Sequence, residues 1–184
     1  MSCILNIETS TNVCSVSLSQ DGVCLHEEVD LQGPSHAQVL AGFVKEVVSF
    51  ADSHAIPIDA VAVSKGPGSY TGLRIGVSEA KGVAYGRDAK LISVPTLKLL
   101  TVPVLLGHDE LPEDSLLCPM IDARRMEVYC AVYTRALKEV EATQALVVDE
   151  HSFNDLLEQH PIYFMGNGAD KCAEVIKHPN AHFI

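Results

Sequence analysis

The sequence predicts an α/β protein built from a repeated βββαβαβα unit, and three observations carry the prediction. Apolar runs of strand length alternate with stretches of helical periodicity. The order of elements over the first 106 residues recurs after residue 115, without detectable sequence identity between the halves. Each half also begins with an apolar strand that ends in a carboxylate, Glu8 in the first and Asp122 in the second. With 184 residues, 47% hydrophobic and 20% charged, the chain has ample material for a core and is neither a disordered tail nor a collagen-like repeat.

Cys3–Ile7 is a nearly continuous apolar run, as suits a central strand. Residues 14–19 alternate with period two, and Asp21-Gly22 supplies a hairpin turn into Val23–Val29. Gly33-Pro34-Ser35 breaks the chain and offers Ser35 as a helix cap. From His36 to about His54, Leu40, Phe43, Val44, Val47, Val48 and Ala51 recur at helical spacing. Ile58–Ser64 reads as a strand, Ser69–Arg87 as a helix, Leu91–Val94 as a strand, and Pro95–Leu106 as a helix interrupted at Pro103. Gly107–Ser115 is polar and reads as a linker, which sets the expected domains at 1–106 and 116–184. Leu116–Asp122, Met126–Thr134 and Gln144–Val148 are the next strands. Ser152–Gln159 follows as a helix, Ile162–Met165 as a strand, Ala169–Lys177 as a helix and His182–Ile184 as an incipient strand. The second copy stops there, without a closing helix, and is read as incomplete. A duplicated unit of this order resembles the two-lobed architecture of the actin, Hsp70 and sugar-kinase (ASKHA) superfamily, with an RNase H-like fold in each lobe.

The most informative stretch is Ser64-Lys65-Gly66-Pro67-Gly68-Ser69-Tyr70-Thr71-Gly72-Leu73-Arg74-Ile75-Gly76. A strand runs into a glycine-rich loop that opens a helix. Such a loop is either a sharp strand-to-helix turn or an anion site made of free backbone N–H groups. It is not a Walker A loop, because no Gly-Lys-Ser/Thr follows at the required spacing. Gly72, Gly76, Ala80 and Ala84 then form a small-residue stripe at i, i+4. The stripe permits either tight packing against its own sheet or close approach of a partner helix. There is no HxxxH or HExxH pair for a metallopeptidase and no Gly-x-Ser-x-Gly elbow for a hydrolase. The six cysteines form no CxxC pair, and five of them sit in apolar segments where a thiol behaves as a small hydrophobe. No signal peptide is evident, and the apolar region Leu91–Leu106 is broken by Pro95, Lys98 and Pro103, so a cytoplasmic protein without a membrane span is expected.

Val63–Gly76 closely resembles the signature of the TsaB (YeaZ-type, glycoprotease-like) family, subunits of the machinery that makes threonylcarbamoyladenosine beside the tRNA anticodon. Ile4–Leu18 with its Glu-Thr-Ser, Ser35-His36, Ile121–Tyr129 and Gly166-Asn167-Gly168 extend the resemblance. It implies a non-catalytic subunit that supports the TsaD transferase, reaches the ATPase TsaE through the complex, and pairs with itself when alone. No catalytic residue and no metal ligand is implied. The chain itself requires no cofactor, ATP and Mg belonging to the assembled complex, and tRNA is met only indirectly. The family's paired helices correspond to His36–Phe50 and Tyr70–Tyr85. They nominate His36, Leu40, Phe43, Val47, Phe50, Tyr70, Gly72, Arg74, Gly76, Ala80 and Val83 as partner-interface residues. Glu8, Thr9, Ser10 and Asp122 become the candidates for a vestigial nucleotide site. Glu8 stands where the superfamily usually has Asp, and the extra methylene would misplace an ATP-bound metal. The alternatives kept beside this reading are an ATP-dependent small-molecule kinase of the same superfamily and a simple homodimeric binding module.

Charge separates the chain from nucleic-acid binders. The net charge is −11, although residues 61–100 hold six cations against two anions, leaving −15 on the rest. A molecule so acidic neutralises too few phosphates to hold RNA. A gel shift at about 150 mM salt, a physiological ionic strength, is therefore expected to leave tRNA unbound by the isolated chain.

Overall fold

The computed structural model describes residues 2–33 and 35–184. They divide into two compact units, Met1–Thr96 and Leu97–Ile184. In the first unit β1 (Cys3–Glu8), β2 (Cys14–Gln20), β3 (Val23–Asp30), β4 (Ala60–Ser64) and β5 (Lys90–Val94) form a sheet of order β3-β2-β1-β4-β5. The first three strands are antiparallel, and β1, β4 and β5 are parallel. Asp21 and Gly22 take φ of 50° and 84°, the doubly positive turn that an Asp-Gly hairpin requires.

Strand alternation places Cys3, Leu5, Ile7, Cys14, Val16 and Leu18 on one face, and the register Leu5↔Val61, Ile7↔Val63 carries it into β4. Helices α1 (His36–Ser53) and α2 (Tyr70–Gly86) cover that face with Leu40, Val44, Val47, Ala51, Ala80 and Ala84. Each buried Leu or Val contributes about 1.5–3 kcal/mol. The other face of β1 and β2 is polar, with the Asn6 amide donating to Ser19 Oγ at 3.0 Å and Ser17 Oγ at 3.3 Å.

The second unit repeats the plan. β6 (Leu116–Asp122), β7 (Glu127–Thr134), β8 (Glu139–Val147), β9 (Ile162–Met165) and β10 (Ala181–Phe183) take the order β10-β9-β6-β7-β8, the first order read from the opposite edge. On one face Cys118, Met120, Val128 and Cys130 meet Leu157 of α4 (Asn154–Leu157) and Cys172 of α5 (Ala169–Cys172). On the other, Leu97 and Val104 of α3 (Thr96–Gly107) pack near Ile121 and Leu117. Cys24 is exposed and the other cysteines are buried, and burial pushes the Cys3, Cys14, Cys118 and Cys172 thiols up. Among the described residues no helix is long and apolar enough to cross a membrane.

Several expectations are corrected. The division falls at Thr96/Leu97 rather than after residue 106, because the apolar side of α3 packs on the second sheet. That helix also runs through Pro103 without a break. Pro103 is exposed, and Leu99, whose carbonyl loses its partner, is 41% exposed, so water can satisfy the carbonyl. β8 begins at Glu139 rather than Gln144 because, as an edge strand with both sides largely open to water, it tolerates Glu139 and Glu141. The helices expected over 152–159 and 169–177 shrink to single turns. Pro34, part of the expected break before α1, lies outside the described residues. Ser35 occupies the cap position without a side-chain cap, its hydroxyl donating instead to Asp30 and to Gly33 O.

Candidate functional site

The glycine-rich block folds as a turn that docks on the end of β1. A Cβ at Gly68 would overlap Ser10 O, one at Gly72 would overlap Thr9 O, and one at Gly76 would overlap Thr9 Oγ1. Three successive contacts therefore require glycine, and they press the start of α2 onto Glu8-Thr9-Ser10. Hydrogen bonds lock the approach: Ser69 N donates to Ser10 O at 2.6 Å and Thr9 Oγ1 to Gly72 O at 2.8 Å. Ser69 caps α2 by accepting from Gly72 N at 3.2 Å, and Gly66 N is held by Thr96 Oγ1 at 3.1 Å. The donors Gly66 N, Ser69 N and Gly72 N are thus spent inside the chain, in a sharp strand-to-helix turn.

The same contacts decide the stripe. Gly72, Gly76, Ala80 and Ala84 are the buried side of α2 and face their own sheet. Leu40 and Val47 lie in the core, and His36 is buried with Nε2 3.0 Å from Thr11 O. His36, Leu40, Val47, Gly72, Gly76 and Ala80 are consequently withdrawn from a partner surface, because burial inside the first unit occupies them. Phe43, Phe50 and Val83 are half-buried on the rim of that core, with the Phe50 ring stacked on His26 at 4.7 Å. Tyr70 and Arg74 remain exposed.

Opposite the buried stripe, α2 presents Tyr70, Arg74, Ser78, Lys81 and Tyr85 to solvent. Tyr70 is 74% and Tyr85 92% exposed. The Arg74 guanidinium stands 5.4 Å from the Tyr70 ring centroid, and a groove of about 470 Å³ alongside is lined by Tyr70, Thr71, Arg74, Ile75, Ser78 and Glu79. Gly42 in α1 and Gly82 in α2 are also outward, with nothing within 4 Å of a Cβ built there. Each costs about 1 kcal/mol relative to alanine, and no contact within the chain offsets it. Arg87 fastens the end of α2 to α1 by two bonds of 2.7 Å to Asp52. Tyr85, Gly42 and Gly82 are not among the interface residues the sequence nominates, whereas Lys81 enters that reading through the positive balance around Arg74; once the stripe is turned inward, helical periodicity finds the α2 members.

The nucleotide candidates fall in separate units and are engaged locally. Glu8 Oε1 accepts from Ser10 N at 2.6 Å and Oε2 from the Ser64 hydroxyl. Thr9 and Ser10 are buried; the Thr9 hydroxyl is used in seating α2, and the Ser10 hydroxyl has no partner within the chain. Asp122 pairs with Lys171, which also donates to Glu127 O at 2.7 Å. The Asp122 N–H donates to Asn167 Oδ1 at 3.0 Å, giving Gly166-Asn167-Gly168 the role of a turn against β6. The Lys171 ammonium, helped by the Arg124 N–H, holds the Asp122 carboxyl below its ordinary range. Among the described residues, no group of three or more His, Cys, Asp or Glu side chains is placed to hold a metal ion.

Two sheets of order 3-2-1-4-5, three strands antiparallel and the last two parallel to the first, define the class: a duplicated RNase H-like protein of the ASKHA type. The particular family follows from comparison with known proteins. Residues 30–181 match the family described as "TsaD: tRNA N6-adenosine threonylcarbamoyltransferase", and the chain belongs to it. The Escherichia coli (strain K12) tRNA threonylcarbamoyladenosine biosynthesis protein TsaB is 33% identical over 150 residues, 80% of this chain and 63% of that protein. The Bacillus subtilis (strain 168) protein of the same name is 27% identical over 179 residues, 95% of this chain and 75% of that protein. A solved structure of YeaZ from Pseudomonas aeruginosa is 25% identical and superposes with a TM-score of 0.77 over 100% of this chain and 84% of that one. The chain thus spans less than two thirds of the Escherichia coli relative.

Two predictions follow from the site. Gly76→Ala is expected to lower stability by about 1–3 kcal/mol by overpacking on Thr9, whereas Gly82→Ala, in open space, raises it by up to about 1 kcal/mol; urea unfolding of both variants checks the contrast. Asp122, its folded pKa depressed, contributes stability that is present above the unfolded carboxyl pKa and lost as pH falls through the folded one. With the side chain 45% exposed, that contribution is at most about 1 kcal/mol. In Lys171→Met, NMR titration of the Asp122 carboxyl is expected to move up toward the ordinary carboxylate range.

Proposed function

We propose that the chain is the non-catalytic partner of a TsaD-type transferase in the formation of threonylcarbamoyladenosine on tRNA, docking through the outward side of α1 and α2. The observation that carries this reading is the outward side itself. Tyr70 and Tyr85 stand in water on α2 together with Gly82, Gly42 lies bare on α1, and no internal contact explains either glycine. Exposed tyrosines are frequent anchors of protein interfaces, and bare helix glycines let a second backbone come close. Phe43 and Phe50 of α1 and Val83 of α2 add half-buried apolar surface to the two helices.

A supporting role fits the chemistry better than catalysis. A kinase of this superfamily would need carboxylates free to face phosphates and metal, and each Glu8 oxygen already accepts a bond from its own unit, from Ser10 N and the Ser64 hydroxyl. The proposal leaves ATP and Mg to the complex, reaches TsaE and tRNA through it, and has the chain self-pair in the cytoplasm when its partner is absent. The relatives' shared name, tRNA threonylcarbamoyladenosine biosynthesis protein, supports the process.

Size-exclusion chromatography of the chain alone and mixed with TsaD from the same organism tests the reading. Co-elution is expected; separate peaks overturn it, and phosphorylation of a small metabolite by the chain alone would favour the kinase. Tyr70→Asp with Tyr85→Asp should weaken the complex by about tenfold or more and leave the melting temperature unchanged, since both side chains are exposed.

A further inference from the structure

We infer that the turn between β6 and β7, through Arg124 and Arg125, is a contact for the phosphate backbone of RNA, made when an assembly holds the chain against that RNA. The inference rests on the function proposed above, which brings tRNA to the complex, and it adds a part of this chain that touches the tRNA.

The turn is strained. Arg124 and Arg125 have φ of 76° and 50°, in the left-handed region that crowds a Cβ and that glycine and asparagine enter most readily. Among the described residues they are the one place where two successive non-glycine residues take positive φ. Ala123 N donates to Glu127 O at 3.1 Å and Glu127 N to Arg124 O at 3.0 Å. Glycine or asparagine at these positions would make the same backbone bonds with less strain. What arginine alone supplies is the side chain, and neither side chain serves the fold. Both residues are exposed. Among the described residues neither guanidinium donates a hydrogen bond or lies within ion-pair distance of a carboxylate, Glu127 and Asp170 included. Asp122 is already held by Lys171 and by the Arg124 N–H, and the Arg124 charge adds the smallest part to that hold.

Two planar forks on adjacent residues of a hairpin turn suit oxygen anions presented in series. Sites for small ligands are concave and bury most of the ligand, whereas both arginines stand exposed on a turn. A phosphodiester chain needs no such enclosure. With a net charge of −11 the chain does not hold RNA unaided, and two phosphate contacts are few beside the roughly six to ten of a salt-sensitive nucleic-acid binder. The contact therefore counts once a partner supplies the others, in keeping with an isolated chain that leaves tRNA free.

The test compares two double variants of the full chain. Arg124→Gly with Arg125→Gly removes both forks and relieves the backbone, and Arg124→Lys with Arg125→Lys keeps the charge. Complexes of each with TsaD from the same organism are titrated with tRNA on filters between about 0.05 and 0.2 M salt. The glycine variant should bind tRNA about tenfold more weakly, and its slope of log affinity against log salt should be shallower by about 2. The lysine variant should keep the wild-type slope. The urea midpoint of the glycine variant should be no lower than that of wild type. Affinity and slope unchanged by glycine overturn the inference. A lower midpoint also overturns it, because the arginines would then serve the fold, as does loss of co-elution with TsaD, which would make the turn a protein contact. A second measurement needs no TsaD. The Nε–H signals of Arg124 and Arg125 in the isolated chain, followed by NMR at about 0.02 M salt, should shift with a short RNA stem at millimolar concentration. They should shift less with ATP or with an aspartate-rich peptide of the same charge as the stem, and equal or larger shifts with either overturn the inference. If wild type fails to bind TsaD, the docking reading falls, while the NMR titration still decides the contact.

Discussion

The first unit depends on one close approach, the seating of α2 on the turn that follows β1. Gly68, Gly72 and Gly76 bring backbone against Thr9 and Ser10 at distances no side chain would allow. That contact sets the height of α2 above the sheet, hence the space that Ala80 and Ala84 fill and the room left for Val44 and Val47 beside them. It also fixes the rotation of the helix about its axis. With the small residues turned inward, Tyr70, Arg74, Lys81 and Tyr85 have only the outside left to them. A packing requirement on one side of a helix thereby determines the chemistry displayed on the other.

The two units use the same strand order differently. In the first, α1 and α2 cover one face of the sheet, and the opposite face of β1 and β2 carries Asn6, Ser17 and Ser19 in mutual hydrogen bonds. In the second, α3 lies on one face and the short α4 and α5 on the other, so β6 is buried along nearly its whole length. The carboxylates that end β1 and β6 share a topological position but not an environment. Glu8 is closed in by hydroxyl and backbone donors, while Asp122 keeps an ammonium partner and reaches solvent.

Much of this was legible in the residues. Alternation in Cys14–Ser19, the Asp21-Gly22 turn and the helical spacing from Leu40 to Ala51 each encode local geometry, and the repeated order of elements encodes the duplication. The glycine-rich block announces close backbone approach, but not what approaches it. Small residues look the same whether they admit a strand end of their own unit or a foreign helix, and Thr9 lies 63 residues from Gly72. The Lys171–Asp122 pair had no local signal either, being 49 residues apart. The apolar residues of α3 do not record which sheet they cover, and the charged residues Glu139 and Glu141 on the edge strand β8 resemble loop.

The contact between Thr9 and α2 also orders events in time. The β1–β2–β3 meander is made of neighbours in sequence and can close as soon as it leaves the ribosome. The parallel pairing of β1 with β4 and the arrival of Gly72 and Gly76 are non-local, and non-local closure is slow. Until residues 60–76 have been synthesised, β1 carries an open hydrogen-bonding edge and Thr9 an unfilled place beside it. A half-made sheet with a free apolar edge is a template for the wrong strand. The interval between the emergence of β3 and that of α2 is therefore a stretch of translation in which the first unit is exposed to misfolding.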